Sequence, residues 1–222
     1  YFSLMALCSC IKKNTNIKVV LCGEGADEIF GGYERYKKFS KHFNYKSMDN
    51  LIYSYNYVAI PRLKLLTKDP VIISQKRYDI FQEVISKDIF NTLLLYDQKT
   101  FLGSYLHRQD RVGMMYGLEI RTPYLDHRLV NFINSIPSKH KYNSQYLKLI
   151  LRQIGDKLVD QRIIWNQQKI AFSFPTSSLF QNGFLNVLFQ KGLKNGFLIE
   201  DIYNVNGISK LLDEQSKGID HS

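Results

Sequence analysis

The stretch Val19–Tyr33, VVLCGEGADEIFGGY, constrains this chain more than any other. It sets four glycines and three carboxylates at the end of a short apolar run. Glycine tolerates backbone conformations that other residues resist. Glu24, Asp27 and Glu28 repel one another unless something cationic comes between them. Packing alone has no use for that combination. The plain reading is a strand, a Gly-rich turn and an acidic helix start. The sharper reading is a metal-assisted site, because GEGADE is too acidic to cradle phosphate unaided.

The run before it, IKVVLC at Ile17–Cys22, is β-branched and apolar nearly throughout. A strand buried on both faces of a parallel sheet reads this way. Such a strand ending in Gly23-Glu24-Gly25 puts backbone and carboxylate at the carboxyl edge of the sheet, where open α/β folds bind ligands. Gly23 and Gly25 would let the chain pass close to a nucleotide or a reacting acyl group. Asp27 suits Mg²⁺, which takes one or two protein carboxylates and fills its other positions with phosphate oxygens and water. Glu28 is read as capping or charging the helix that follows.

Elsewhere the periodicity is helical. Residues 2–13 read as the tail of a helix, and the chain after GGY reads as helix through about Phe43. Residues 44–93 are hard to read, with a break at Thr67–Pro70. From Leu94 to Tyr116, Leu95, Leu102, Leu106, Val112 and Met115 approximate one helical face. A short helix follows Pro123, with Leu129, Val130, Ile133 and Ile136 inward. In YLKLILRQIG, Leu147, Ile150, Leu151 and Ile154 share one face, while Lys148 and Arg152, four apart, share the other. The segment after about Glu200 is polar and is expected to fray. One strand among many helices makes an α/β chain that looks like the end of an α/β domain.

Two further stretches carry charge among apolar residues. RQDRVGMMYGLEIRTPYLDHR, Arg108–Arg128, mixes both signs, and buried charges persist only when paired. It is read as an internal ion-pair network holding two helices together, with a substrate-facing role for one or two of these residues as the lesser alternative. NQQKIAFSFP, Asn166–Pro175, holds a single lysine, Lys169, whose ammonium could stabilise charge on a departing phosphate.

The formal charge of +10 points to acidic partners. RYKKFSKHF, Arg35–Phe43, interleaves aromatics with bases. No nucleic-acid motif accompanies it, so it is read as a solvated basic face. Cys8, Cys10 and Cys22 form an odd set without zinc-ligand spacing, as in a reducing cytoplasm. No apolar run approaches membrane-span length and no cleavable signal is seen. The chain starts at Tyr1 rather than Met, so further residues are expected ahead of it.

CGEGADEIFGGY, DRVGMMYGLEIRTPYLDHRLV and the pair K-x-x-x-R with QK-x-x-F-x-x-P occur in that order. In this the chain resembles the C-terminal part of the synthetase domain of glutamine-hydrolysing asparagine synthetases and their relatives, from Tyr1 to about Phe189. The resemblance implies a Rossmann-like, PP-loop ATP pyrophosphatase fold. It implies activation of a carboxylate, normally that of aspartate, as an acyl-adenylate, with ammonia from a glutaminase domain displacing AMP. Cys22 and Gly23 would contact the nucleotide through their backbone. Glu24 would lie against the acyl-adenylate and take a proton from the incoming ammonia. Asp27 would hold Mg²⁺ on pyrophosphate, and Lys169 would neutralise the departing phosphates.

The chain departs from the family pattern in several places. The SGGxDS nucleotide loop and the glutaminase domain with its N-terminal cysteine are absent from these residues, so this chain alone is not expected to adenylate. Gln167 replaces a basic residue, Ala171 a glycine and Cys22 a serine. The long spacing from Glu24 to Arg121 resembles the longer bacterial type, some of which amidate uronic acids of surface polysaccharides. Relatives that form β-lactams carry tyrosine where this chain has Glu24. A catalytically inactive remnant serving as a partner-binding module is the alternative from another class.

Overall fold

Apolar residues recur at helical spacing along most of the chain. The computed structural model, which describes residues 2–42, 55, 60–166, 183–196 and 201–217, is mostly helical with one small parallel sheet. In chain order the elements are α1 (Phe2–Asn14), β1 (Val19–Leu21), α2 (Ala26–Phe30), α3 (Glu34–His42), α4 (Ile60–Leu66) and α5 (Pro70–Val84). There follow α6 (Ile89–Thr100), α7 (Leu102–Met115), β2 (Glu119–Arg121), α8 (His127–Ser135), α9 (Leu149–Gly155), α10 (Gln161–Ile164), α11 (Phe184–Lys194) and α12 (Val205–Ser216). The chain divides into two compact units, one from residues 1–48 and 79–172, the other from 49–78 and 173–222.

In the first unit β1 runs parallel to β2, with Val20 opposite Ile120. These two side chains face α1 and α7 and close a core on Cys8, Val112 and Leu118. The sheet differs from the sequence expectation in three respects. It includes a second strand, β2, that the sequence did not signal. Its first strand is shorter than Ile17–Cys22. Among the described residues it is also covered on one face only: Ile17, Val19 and Leu21 are 52%, 42% and 71% exposed. The reason is geometric, since α1 and α7 pack against the same side as Val20 and Ile120. A strand residue on that side is buried while its neighbours in sequence point the other way.

A second core gathers Ala26, Ile29 and Phe30 of α2 with Ile133 of α8. Leu129, Val130 and Ile136 pack there as the sequence predicts, with Ile150 and Leu151 of α9. Two expected inward residues are exposed instead, Met115 at 68% and Ile154 at 56%. The helix expected from Leu94 to Tyr116 is broken at Phe101 into α6 and α7. Behind α2, Tyr36 of α3 donates its hydroxyl to Asp97 of α6 at 2.6 Å, and Arg35 bonds the same carboxylate. At the α6 N-terminus the Asp88 side chain caps the helix by accepting from Asn91 N–H. Fully buried Lys141 donates to Asn91 Oδ1 at 2.8 Å.

The second unit carries α12 in the segment expected to fray. Asn204 caps it through Gly207 N–H and also donates to Lys64 O at 3.0 Å, tying it to α4. Thr67 and Tyr203 form an antiparallel bridge beside it. Among the described residues no helix is long and apolar enough to cross a membrane.

Candidate functional site

The site begins where β1 ends. Cys22 N–H donates to Arg121 O at 2.8 Å, extending the parallel pairing one residue and delivering Gly23 to the carboxyl end of the sheet. Gly25 then turns the chain into α2 with φ 86°. An ideal Cβ at Gly25 would lie 2.3 Å from Leu125 Cδ2, so conformation and close approach both require glycine there. Gly23 differs: a Cβ would meet only Tyr124 Cε2, at 4.0 Å, leaving that side open. Of the two glycines expected to admit a ligand, Gly23 has the free side, while Gly25 serves the protein's own packing.

Cys22, Gly23, Glu24 and Asp27 line one cleft of about 450 Å³. Leu4 and Leu7 of α1 form an apolar wall, and Tyr105, Arg108 and Gln109 of α7 form a polar one. Arg108 stacks over the Tyr105 ring, 4.0 Å from its centroid. Arg108, from the stretch read as an internal ion-pair network, lines this cleft. The pairs Arg121–Glu119 and Arg128–Asp126 are local and lie on the surface. Their partners are two residues apart, so they form within one segment and need no second helix.

The three acids have different surroundings. Burial pushes the Glu24 carboxyl above its ordinary range, and the neighbouring Asp27 charge pushes the same way, against Arg108 and Lys148. Glu28 is fully buried and accepts from Tyr33 Oη at 2.8 Å; burial pushes its carboxyl up as well. Gly25 takes the cap position, while Glu28 stands in the first turn of α2, the helix-charging half of its reading. Asp27 forms an ion pair with Lys148, Nζ to Oδ1 at 2.9 Å.

Lys148 was missed as a site residue, being read only as sharing the outer face of its helix with Arg152. The two diverge. Lys148 precedes α9 and reaches Asp27, whereas Arg152 donates to Leu147 O and, through Nη1, to Asn166 O at 3.1 Å and to Ile164 O. The only signal available was the K-x-x-x-R spacing. Lys169, with Gln167 and Ala171, lies outside the described residues, while Arg152 holds the segment leading to it.

Asp27 fits a metal in one way only. Among the described residues no three His, Cys, Asp or Glu side chains converge as a cage. That donor set suits Mg²⁺ drawing its other ligands from phosphate and water.

The asparagine synthase family model matches residues 2–222. Asparagine synthetase (glutamine-hydrolysing) 3 of Bacillus subtilis (strain 168) is 29% identical over 189 residues, covering 75% of this chain and 28% of the relative. Asparagine synthetase (glutamine-hydrolysing) 1 of the same organism is 27% identical over 205 residues, covering 75% and 32%. The protein named "probable asparagine synthetase (glutamine-hydrolysing)" in Acanthamoeba polyphaga mimivirus is 27% identical over 198 residues, covering 88% and 27%. The chain thus spans about three tenths of the length of these relatives. With nearly every residue inside the family match and three relatives aligned over most of it, this chain belongs to the asparagine synthase family.

Proposed function

We propose that this chain carries the amide-forming site of an ATP-dependent ligase built on a Rossmann-like ATP pyrophosphatase domain. The carboxylate of aspartate is activated as an acyl-adenylate with release of pyrophosphate, and ammonia derived from glutamine displaces AMP. The observation that carries this reading is the convergence of Cys22, Gly23, Glu24 and Asp27 on one cleft at the carboxyl end of a parallel sheet. The open side of Gly23 suits the approach of a nucleotide.

Glu24 is the base. Ammonia must shed a proton as the amide forms, and a carboxylate whose pKa is raised by burial accepts it with more driving force than an ordinary one. Asp27 would hold Mg²⁺, which when bound offsets charge on the leaving pyrophosphate. Lys169 is assigned to the same phosphates, and Arg152 fixes the carbonyls of Ile164 and Asn166 just ahead of it. Leu4 and Leu7 exclude water from one side of the cleft, which protects an acyl-adenylate from hydrolysis. The substrates are those of a cytoplasmic protein.

Glu24→Gln in the complete protein tests this. Amide formation from aspartate should fall by at least about 100-fold while pyrophosphate release persists. An unchanged amide yield would remove Glu24 from the reaction.

A further inference from the structure

Lys148 is the only non-glycine residue with positive φ among the described residues, at 52°. A lysine has no intrinsic reason to be left-handed, and such conformations persist where the surroundings over-determine them. Here its carbonyl accepts from Arg152 N–H and the next residue, Leu149, donates to Lys141 O, so the peptide that follows Lys148 is pinned at both its oxygen and its N–H. The side chain then crosses Gly32 to reach Asp27. An ideal Cβ at Gly32 would lie 2.3 Å from Lys148 Cε and 1.7 Å from Asp27 Oδ1. The ion pair thus occupies the space that any side chain at position 32 would fill. Both side chains are 27% exposed, where an ion pair adds little stability. A strained lysine and a cleared path to one carboxylate are more than such a pair needs for stability alone.

We propose that Lys148 is a positioning residue whose ammonium is the resident cation of Asp27. It keeps that carboxylate aimed into the cleft until a divalent cation arrives with the phosphate chain. With Asp27 holding such a cation, the Lys148 ammonium would be released from the carboxylate and would pair with phosphate oxygens instead. This rests on reading the cleft as an adenylate-forming site. It goes further by assigning a further cation of the pyrophosphate subsite to the lysine at the N-cap position of α9.

The test is Mn²⁺ binding to the complete protein, read from the paramagnetic resonance signal of free Mn²⁺, with and without inorganic pyrophosphate. Removing the resident cation in Lys148→Met should tighten binding of Mn²⁺ alone by roughly fivefold. The same variant should weaken retention of Mn²⁺ with pyrophosphate by about tenfold. Lys148→Arg should recover part of the second effect. These opposite signs distinguish the proposal from a purely structural role, which would move both in one direction. If Asp27→Asn weakens Mn²⁺–pyrophosphate binding but Lys148→Met changes neither measurement, or moves both together, the proposal is overturned. If Asp27→Asn has no effect either, the adenylate-forming reading of the cleft fails first and takes this proposal with it.

Discussion

Gly32→Ala separates the geometry of the Asp27–Lys148 pair from its charges, because it removes neither. Gly32 is not among the positive-φ glycines, so alanine can adopt its backbone. The conflict is between side chains. The new methyl would sit 1.7 Å from Asp27 Oδ1, so the carboxylate must retreat by roughly 1.5 Å to regain ordinary contact. Lys148 Cε, at 2.3 Å, must move as well. Both atoms are near the ends of flexible side chains, and the backbone bond from Gly32 N–H to Asp27 O can survive.

The energies are small. Losing a pair this exposed costs at most about 1 kcal/mol. Pushing Asp27 off its rotamer adds about 0.5–1.5 kcal/mol. Restricting the unfolded chain by replacing glycine returns about 0.4–1 kcal/mol. The expected net loss is therefore about 1 kcal/mol, read by guanidinium unfolding followed by circular dichroism. Retention of Mn²⁺ with pyrophosphate should nevertheless fall about as far as in Asp27→Asn, because the carboxylate no longer points where the ion must sit. A stability loss above about 3 kcal/mol would show that position 32 is a core site and the side-chain argument is wrong. Full retention of the metal–pyrophosphate complex would refute the claim that the carboxylate's placement matters.

The neighbouring Gly31→Ala should behave differently: φ is 76°, and a Cβ would lie 2.4 Å from Cζ of Phe90, a buried ring stacked on Tyr142. A loss of about 2–4 kcal/mol in denaturant unfolding is expected, and a loss under about 1 kcal/mol would mean the ring can slide. Lys141 gives a pH signature. Burial pulls its ammonium down to about 8, against the Asp88 charge, so between pH 8 and about pH 10 the unfolded chain holds more protons and stability rises with pH. Buried Cys8 has the opposite sign, because its pKa is raised. The quantity to read is therefore the wild-type minus Lys141→Met difference, which should climb by up to about 3 kcal/mol from pH 7 to pH 10. A flat difference would mean that Lys141 titrates as if in water. Asp97→Asn should cost about 3 kcal/mol by chemical denaturation, since Arg35 and Tyr36 both bond that buried carboxylate; near-neutral stability would show that water replaces it.

What the sequence revealed follows from which chemistry is local. The GEGADE turn could be read because glycine and carboxylate types act within a few residues, and the structure does gather Cys22, Gly23, Glu24 and Asp27 on one cleft. Helix α8 could be read because Leu129, Val130, Ile133 and Ile136 repeat at helical spacing and all pack inward. Met115 and Ile154 had the same spacing and are exposed, because periodicity marks an apolar face without saying what covers it. Strand β2 escaped notice because three residues, Glu119–Arg121, are too few for alternation to register. Lys148 escaped because helical spacing set it on one face with Arg152. A left-handed lysine carries no mark in sequence, where glycine or asparagine would have signalled the turn.

The same lysine explains how a turn can hold three carboxylates within five positions. Asp27 is matched by an ammonium at 2.9 Å that arrives from residue 148. Glu28 of α2 is buried, where the Tyr33 hydroxyl donates to one of its oxygens and burial raises its pKa. Neither arrangement leaves a carboxylate able to take a proton from a molecule in the cleft, because one is engaged by a cation and the other cannot reach. Glu24 is the acid left over. Among the described residues it forms no ion pair within 4.0 Å, yet Arg108 and Lys148 act on it from a distance and partly offset the effect of burial. A base needs to be uncommitted, accessible and tuned above the ordinary carboxylate range but not so far that it is protonated at working pH. On the proposed reading, the pairing of Asp27 and the burial of Glu28 leave the role of base to Glu24. The acidity of the turn would then be the means by which one of its three carboxylates is singled out.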